Sequence, residues 1–350
     1  MPGAAFSTAG GMASRPIPSA APLRVTRLGF GSAPLGEHKV LVPEEDATAT
    51  LAAAYELGVR YFDTAPFYGY GLAEQRTGRF LKDRPRADYV LSSKVGRWLR
   101  PRTTQDRTPR PFIGGLPLEP VLDYSYDGTL RSIAQSLERL EHERLDIALI
   151  HDVDVWTHGE AFPERLDEAM NGSYRALRDL REQGAVGAVG VGVNDVASCL
   201  ALAKRGEFDC FMLAGRYTLL EQGALDELLP LCIERDISVL VAAPFNSGIL
   251  ATGAGGAAQY NYRPAPEHVL ERVRRIEAVC ARHDVPLPAA SLQFPLGHPA
   301  VASVVPGAIS AAEARNNARM MQFTIPDDFW AELRAEKLIR PEAPLPRSRQ

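Results

Sequence analysis

Tyr61-Phe62-Asp63-Thr64-Ala65-Pro66-Phe67-Tyr68-Gly69 decides the reading of this chain. A short apolar strand ends on a carboxylate, and five residues later a loop presents a tyrosine beside glycine. On the N-terminal side, Ala47, Leu51, Ala54 and Tyr55 share one helical face. On the C-terminal side, a helix over Ala73 to Lys82 leads into Tyr89-Val90-Leu91-Ser92-Ser93-Lys94, a buried strand that ends on a lysine.

The rhythm continues outward from there. Strands are expected at 28–31, 61–63, 89–94, 145–150, 185–193, 208–214, 237–243 and 301–305, separated by amphipathic helical patterns. Residues 95–127 interrupt the series with a loop rich in proline and arginine, too long for an ordinary connection and therefore functional or inserted. Eight strands alternating with eight helices favour a closed parallel (β/α)8 TIM barrel with long loops at its C-terminal rim over an open sheet. Residues 1–22, rich in Ala, Pro, Ser and Gly, read as a flexible extension, 23–325 as one barrel and 326–350 as a C-terminal tail.

Composition narrows the function. The chain has 350 residues, 45% hydrophobic and 23% charged, enough for a sizeable core. Its 39 basic and 43 acidic residues are interspersed, so there is no basic stripe for a phosphate backbone, and nucleic acid is not an expected partner. Cys199, Cys210, Cys232 and Cys280 are widely spaced within apolar segments, which points to buried thiols in a reducing cytoplasm rather than to a metal site. The first 22 residues carry no apolar run suited to a secretory signal or a membrane span.

In a closed barrel, Asp63, Lys94 and His151 each end a strand and Tyr68 follows one, so all four converge on one rim. A tyrosine hydroxyl titrates near pH 10 in water, too high for proton transfer at neutral pH unless its phenolate is stabilised. A lysine about 4 Å away, at an effective dielectric near 20, supplies on the order of 4 kcal/mol, or roughly three pKa units before desolvation. Asp63 would hold Lys94 charged, and His151 would hydrogen-bond the reacting oxygen. Singly, each residue has an ordinary explanation: a helix cap, a solvated lysine, a loop-packing ring or a satisfied histidine. Their joint placement makes the functional reading.

These residues resemble the aldo-keto reductase superfamily over nearly the whole chain, from Leu28 to Asn317. The resemblance rests on Leu28-Gly29-Phe30-Gly31, Phe62-Asp63-Thr64-Ala65 with Tyr68-Gly69, Ser93-Lys94, Leu149-Ile150-His151, Gly190 to Asn194, and Val304-Val305-Pro306-Gly307 leading to Asn317. It implies a barrel, a catalytic tetrad of Asp63, Tyr68, Lys94 and His151, and a nicotinamide dinucleotide bound without a Rossmann domain. Asn194 would bind the carboxamide and Tyr217 would stack on the ring. Pro244, Asn246, Gly248, Leu250, Pro306, Gly307, Glu313 and Asn317 would complete the cofactor site. Ala214 stands where the family usually has a glutamine. Gly253 to Gly256 lacks the fingerprint spacing of a phosphate loop and reads as a mobile segment over the pyrophosphate.

NAD is favoured because Gly307 to Glu313 contains no basic residue for a 2′-phosphate and ends on a carboxylate. NADP stays open because Arg315 is close by. Glu313 also suits the first turn of a helix, where it would meet the macrodipole.

A narrower similarity lies in Asp123 to Asp127, Leu213 to Leu220 and Pro244 to Gly253, which resemble the branch holding D-threo-aldose 1-dehydrogenases (L-fucose dehydrogenases) and pyridoxal 4-dehydrogenases. It implies oxidation of a cyclic hemiacetal carbon to a lactone, with a small sugar or a pyridoxal-like ring as substrate. Trp98, Tyr126 and Phe245 are the expected walls. An NADPH-dependent carbonyl reductase and a non-enzymatic barrel module are the alternatives.

Overall fold

The computed structural model describes residues 12–106 and 110–346. The first part of the expected extension, three residues of the long loop and the last four residues of the expected tail lie outside the described residues.

The eight barrel strands are β1 (Phe30–Gly31), β2 (Tyr61–Asp63), β3 (Val90–Val95), β4 (Leu145–His151), β5 (Val186–Val193), β6 (Cys210–Ala214), β7 (Ser238–Ala242) and β8 (Val301–Val305). Neighbours pair in parallel in chain order from β1 to β8. Parallel bridges Leu28 to Val304 and Gly31 to Gly307 close the sheet, with Gly29 N–H donating to Val304 O at 2.8 Å and Gly31 N–H to Pro306 O at 2.9 Å. The expected barrel is therefore what the chain forms.

Strand alternation sorts the side chains into two layers. Phe62, Leu91, Ile150, Val191, Leu213 and Val241 face the surrounding helices. Tyr61, Val90, Ile147, Leu149, Met212 and Leu240 fill the barrel interior. Asp63 lies two residues beyond Tyr61, Lys94 four beyond Val90, and His151 four beyond Ile147, so the same parity points all three inward at the top of the filled interior.

Four segments differ from expectation. Part of the presumed extension is built structure: Ser14–Pro16 pairs antiparallel with Arg24–Thr26. Ile17 and Val25 of this hairpin join the interior cluster from below. Arg15 donates to the carbonyls of His298 (3.0 Å), Leu296 (2.8 Å) and Val301 just before and at β8. The hairpin thereby plugs the N-terminal end of the barrel.

The presumed tail contains a helix, Asp327–Ala335, whose Phe329, Trp330 and Leu333 are buried, followed by buried Leu338, Ile339 and Ala343. The long loop after β3 is a second hairpin, Arg97–Pro101 against Leu118–Leu122. The helical pattern around Met170 to Leu180 divides at Gly172 into helices Phe162–Asn171 and Ser173–Glu182. All four cysteines are buried and unpaired. Among the described residues, no helix is long and apolar enough to cross a membrane.

Candidate active site

Register places Asp63 opposite Ser92 on β3. Ser92 Oγ donates to Asp63 Oδ1 at 2.7 Å, and Lys94 Nζ donates to Asp63 Oδ2 at 2.7 Å and to Thr64 O at 2.8 Å. A serine has one hydroxyl proton, and it is given to the carboxylate. The Tyr61 hydroxyl 3.1 Å away must then donate to Ser92 Oγ. A directed chain, Tyr61 to Ser92 to Asp63, thus stabilises the carboxylate from beneath. Burial raises Asp63, while the Lys94 ammonium and Ser92 oppose the rise.

Lys94 Nζ sits 4.7 Å from the centre of the Tyr68 ring, and the His151 ring meets the same tyrosine edge-on at 5.8 Å. The four expected catalytic residues come together. Among the described residues, the Tyr68 hydroxyl has no hydrogen-bond partner in the protein, so it is free to engage a substrate oxygen. Burial, Lys94 and Arg97 hold His151 well below its usual range, so its ring is neutral and presents one donor and one acceptor nitrogen.

The expected depression of Tyr68 is not found. Burial pushes the phenol well above 10, the Asp63 and Asp152 carboxylates add to the rise, and Arg97 alone opposes it among the main contributors. The physical reason is that the Lys94 charge is largely cancelled by Asp63, which is salt-bridged to it at 2.7 Å.

Backbone contacts fix the position of Tyr68. Gly36, Gly69 and Gly115 come from three different loops and meet beside it. A Cβ at Gly36 would lie 2.5 Å from Gly69 N, and one at Gly115 would lie 2.4 Å from Gly69 O. Gly69 and Gly115 have φ of 61° and 88°, which only glycine adopts cheaply. Around Tyr68, Phe112 contacts Tyr68, Phe67, Tyr70 and His38 at ring separations of 5.5–6.2 Å, and His38 reaches Tyr262 at 5.9 Å. This aromatic wall was not read from the sequence, because its members come from four loops.

The cofactor expectations divide. Both Nδ2 hydrogens of Asn194 are taken by carboxylates, Asp152 at 3.1 Å and Asp154 at 2.9 Å. Carboxylates only accept, so the amide orientation is determined and Oδ1 is the atom left to receive a donor such as a carboxamide NH2. Ser32 Oγ and Thr64 Oγ1, at the ends of β1 and β2, are buried without a partner. Hydroxyls left unpaired beside the Asp63 carboxylate, together with a free amide oxygen, fit a polar ligand at this rim.

Gly307 O accepts a long hydrogen bond from Asn317 Nδ2 (3.5 Å), tying the Pro306-Gly307 turn to helix Ala311–Gln322. Glu313 Oε2 accepts from Ile309 N–H at 2.9 Å while Ser310 Oγ accepts from Glu313 N–H at 3.2 Å, so this carboxylate helps cap the helix. Pro244 is buried, Leu250 is fully buried and its carbonyl accepts from Ser291, and Gly248 has φ of 100°.

Two of these expectations are corrected. Tyr217 is fully buried, with Phe294 at 5.5 Å and His298 at 5.8 Å, so its ring packs in the core and presents no face for stacking. Asn246 spends its side chain within the protein, accepting from Thr218 at 2.6 Å and donating to Gly215 O at 2.9 Å.

The expected substrate walls also move. Along the hairpin, Arg97 reaches Asp152 at 2.9 Å, whereas Trp98 points to the other face, where it donates to Asp123 at 3.1 Å and lies under Arg131. The Tyr126 hydroxyl donates to Asp179 on helix Ser173–Glu182 at 2.8 Å, between outer helices. Phe245 packs against the core between barrel and helices. Beside Tyr68 and His151 the structure places instead Phe112, Asp152 and, bound to Asp152, Arg97.

Comparison with known proteins agrees with this geometry. The sequence profile described as "Aldo/keto reductase family" matches residues 27–337. The chain is 39% identical to a pyridoxal 4-dehydrogenase from Microbacterium luteolum, over 91% of this chain and 95% of that one. It is 40% identical to a D-threo-aldose 1-dehydrogenase from a Pseudomonas species, over 93% and 98%. An aldo-keto reductase from Bacillus halodurans, solved in its holo form, superimposes with a TM-score of 0.72 at 26% identity, covering 94% of this chain and 97% of that one. With the tetrad assembled on the rim of a closed barrel and the profile spanning nearly its whole length, this chain belongs to the aldo/keto reductase family.

Proposed function

We propose that this oxidoreductase removes hydride from the hemiacetal carbon of a cyclic aldose, giving the lactone, with NAD as the acceptor. The observation that carries this reading is the free Tyr68 hydroxyl between Lys94 and His151, in a chain 40% identical to a D-threo-aldose 1-dehydrogenase. A bound nicotinamide dinucleotide would supply the hydride acceptor. Tyr68 takes the proton of the anomeric hydroxyl as the C–H bond breaks and a C=O bond forms. Neutral His151 donates to the same oxygen and orients it, and Lys94, held by Asp63 and Thr64 O, keeps a positive charge against the Tyr68 ring.

Asn194 Oδ1, Ser32 and Thr64 are suited to the nicotinamide end of the cofactor. Pro306, Gly307 and Asn317 are suited to the other end. NAD is preferred because Glu313 holds a carboxylate at the start of helix Ala311–Gln322, while Arg315 faces Glu56 at 3.9 Å. Pyridoxal is the second candidate substrate, supported by the 39% identical relative and by the aromatic wall around Phe112. The test is the rate of nicotinamide reduction with D-threo-aldoses, pyridoxal and simple alcohols, each with NAD and NADP. Oxidation of an aldose with release of its lactone is expected. Turnover of simple carbonyls with reduced dinucleotide, and no aldose oxidation, would overturn the reading.

A further inference from the structure

Asp152 follows His151 directly and has φ of 52°, a left-handed conformation that is strained for a residue with a side chain. Its N–H is tied to Gly192 O at 2.8 Å. The strained backbone sets its carboxylate amid three groups: Arg97 Nη1 at 2.9 Å, Asn194 Nδ2 at 3.1 Å and His151 Nε2 at 3.5 Å. The Arg97 guanidinium lies over the Phe67 ring at 4.8 Å, and among the described residues Asp152 is its only side-chain acceptor. Arg97 is 12% exposed and Asp152 16% exposed, so both are sheltered yet open on one side. The proposed reaction uses neither residue.

We infer that Arg97 and Asp152 form a hydroxyl-recognition pair that selects a polyhydroxylated ring, and so favours an aldose over pyridoxal; the inference rests on the aldose reading above. An alcohol hydroxyl both donates and accepts. A carboxylate beside a guanidinium offers the complementary acceptor and donor side by side. A hydroxyl on a carbon near the reacting one donates to Asp152 and accepts from a free Arg97 N–H. The ring of pyridoxal carries an acidic phenol, and its phenolate cannot donate to Asp152 and is repelled by it. A simple aldehyde has no hydroxyl to engage the pair. Phe112 and Phe67 cover the apolar face of the same ring, and His151 keeps its contact with the reacting oxygen.

The experiment compares wild type, Arg97→Met, Arg97→Lys and Asp152→Asn on a D-threo-aldose, on pyridoxal and on a hydroxyl-free aldehyde assayed in the reverse direction. Methionine retains an apolar stem over Phe67 and removes the charge. A hydrogen bond to a charged group corresponds to roughly a 10- to 100-fold change in binding. KM for the aldose is expected to rise by about that factor in Arg97→Met while KM for the hydroxyl-free aldehyde changes far less, and any fall in kcat from losing the Arg97 charge beside Tyr68 and His151 falls on all substrates alike. Arg97→Lys should recover part of the loss, and Asp152→Asn should narrow the preference for the aldose over pyridoxal. Equal rises in KM on all three substrates, or an unchanged aldose KM in Arg97→Met, would overturn the pair's role. If wild type oxidises no aldose, the aldose reading itself fails. Thermal melting of each variant separates loss of selectivity from loss of fold.

Discussion

The two ends of the barrel bury charge in opposite ways. At the N-terminal end, Arg15 is answered by three backbone carbonyls, and the hairpin around it only closes the barrel. At the C-terminal end, Asp63, Lys94, His151 and Asp152 depend on one another, and among the described residues the Tyr68 hydroxyl is left without a partner. The left-handed residues show the same asymmetry. Tyr70, Asp152, Ala243, Asn246 and Ser247 follow barrel strands at the C-terminal rim, whereas Glu141, Asp236 and Asp284 at the N-terminal end each come just after a helix. A plugged, satisfied end lets the other carry unsatisfied groups and strain without opening the fold.

The sharpest test of this contrast is at Tyr68. Tyr68→Phe should lower kcat by about 10³-fold, within the range for losing a proton-transfer group, with melting temperature and dinucleotide affinity by fluorescence titration unchanged. Parallel losses in affinity and rate would make Tyr68 a binding residue.

Lys94→Met leaves Asp63 buried without its cation and should cost about 3–5 kcal/mol in denaturant unfolding. The double variant Lys94→Met/Asp63→Asn should regain most of that stability and stay inactive. Recovered activity in the double variant would show that the charge pair is structural alone.

At the opposite end, Arg15→Ala should cost about 2–4 kcal/mol, since three carbonyls lose a charged donor, while kcat of the folded enzyme is unchanged. A fall in kcat without a fall in stability would mean that the two ends are coupled.

The smallest effect is a pH dependence. Burial and Arg15 lower His298 from 6.5 to about 4, so between those values the unfolded chain binds the extra proton and the folded one does not. This contribution to stability is complete above pH 6.5 and is lost as pH falls toward about 4. Melting temperature should drop between about pH 7 and about pH 5, and less so in His298→Gln. At the other rim the raised Tyr68 predicts oxidation accelerating with alkalinity over a higher pH range, because the proton-accepting form becomes more populated.

The barrel and the meeting of Asp63, Tyr68, Lys94 and His151 at one rim are legible because they rest on local signals. Buried strands separated by amphipathic helices set the count, and strand parity alone aims Asp63, Lys94 and His151 inward. What escaped depends on contacts between distant segments. Residues 12–22 read from the sequence as a flexible extension because the hairpin's apolar residues, Ile17 and Val25, are few and are buried only under the barrel. Trp98 was taken for a wall because aromatic content says nothing of hairpin face, and Arg97, one residue earlier, faces Asp152. Tyr217 resembled a stacking ring until Phe294 and His298 were found beside it. Lys94 would be expected to lower the Tyr68 phenol, but burial, reinforced by the nearby carboxylates, reverses that balance.

The meeting of Gly36, Gly69 and Gly115 bears on how this scaffold tolerates change. The loop that carries Tyr68 is located by main chain pressed on main chain, with no side chain acting as a spacer. Substitutions along the surrounding aromatic wall or the 97–122 hairpin can therefore reshape what the pocket accepts while the reacting hydroxyl keeps its coordinates. Acceptor range and catalytic competence become separately adjustable properties, and a single methyl group at any of the three glycines would couple them again.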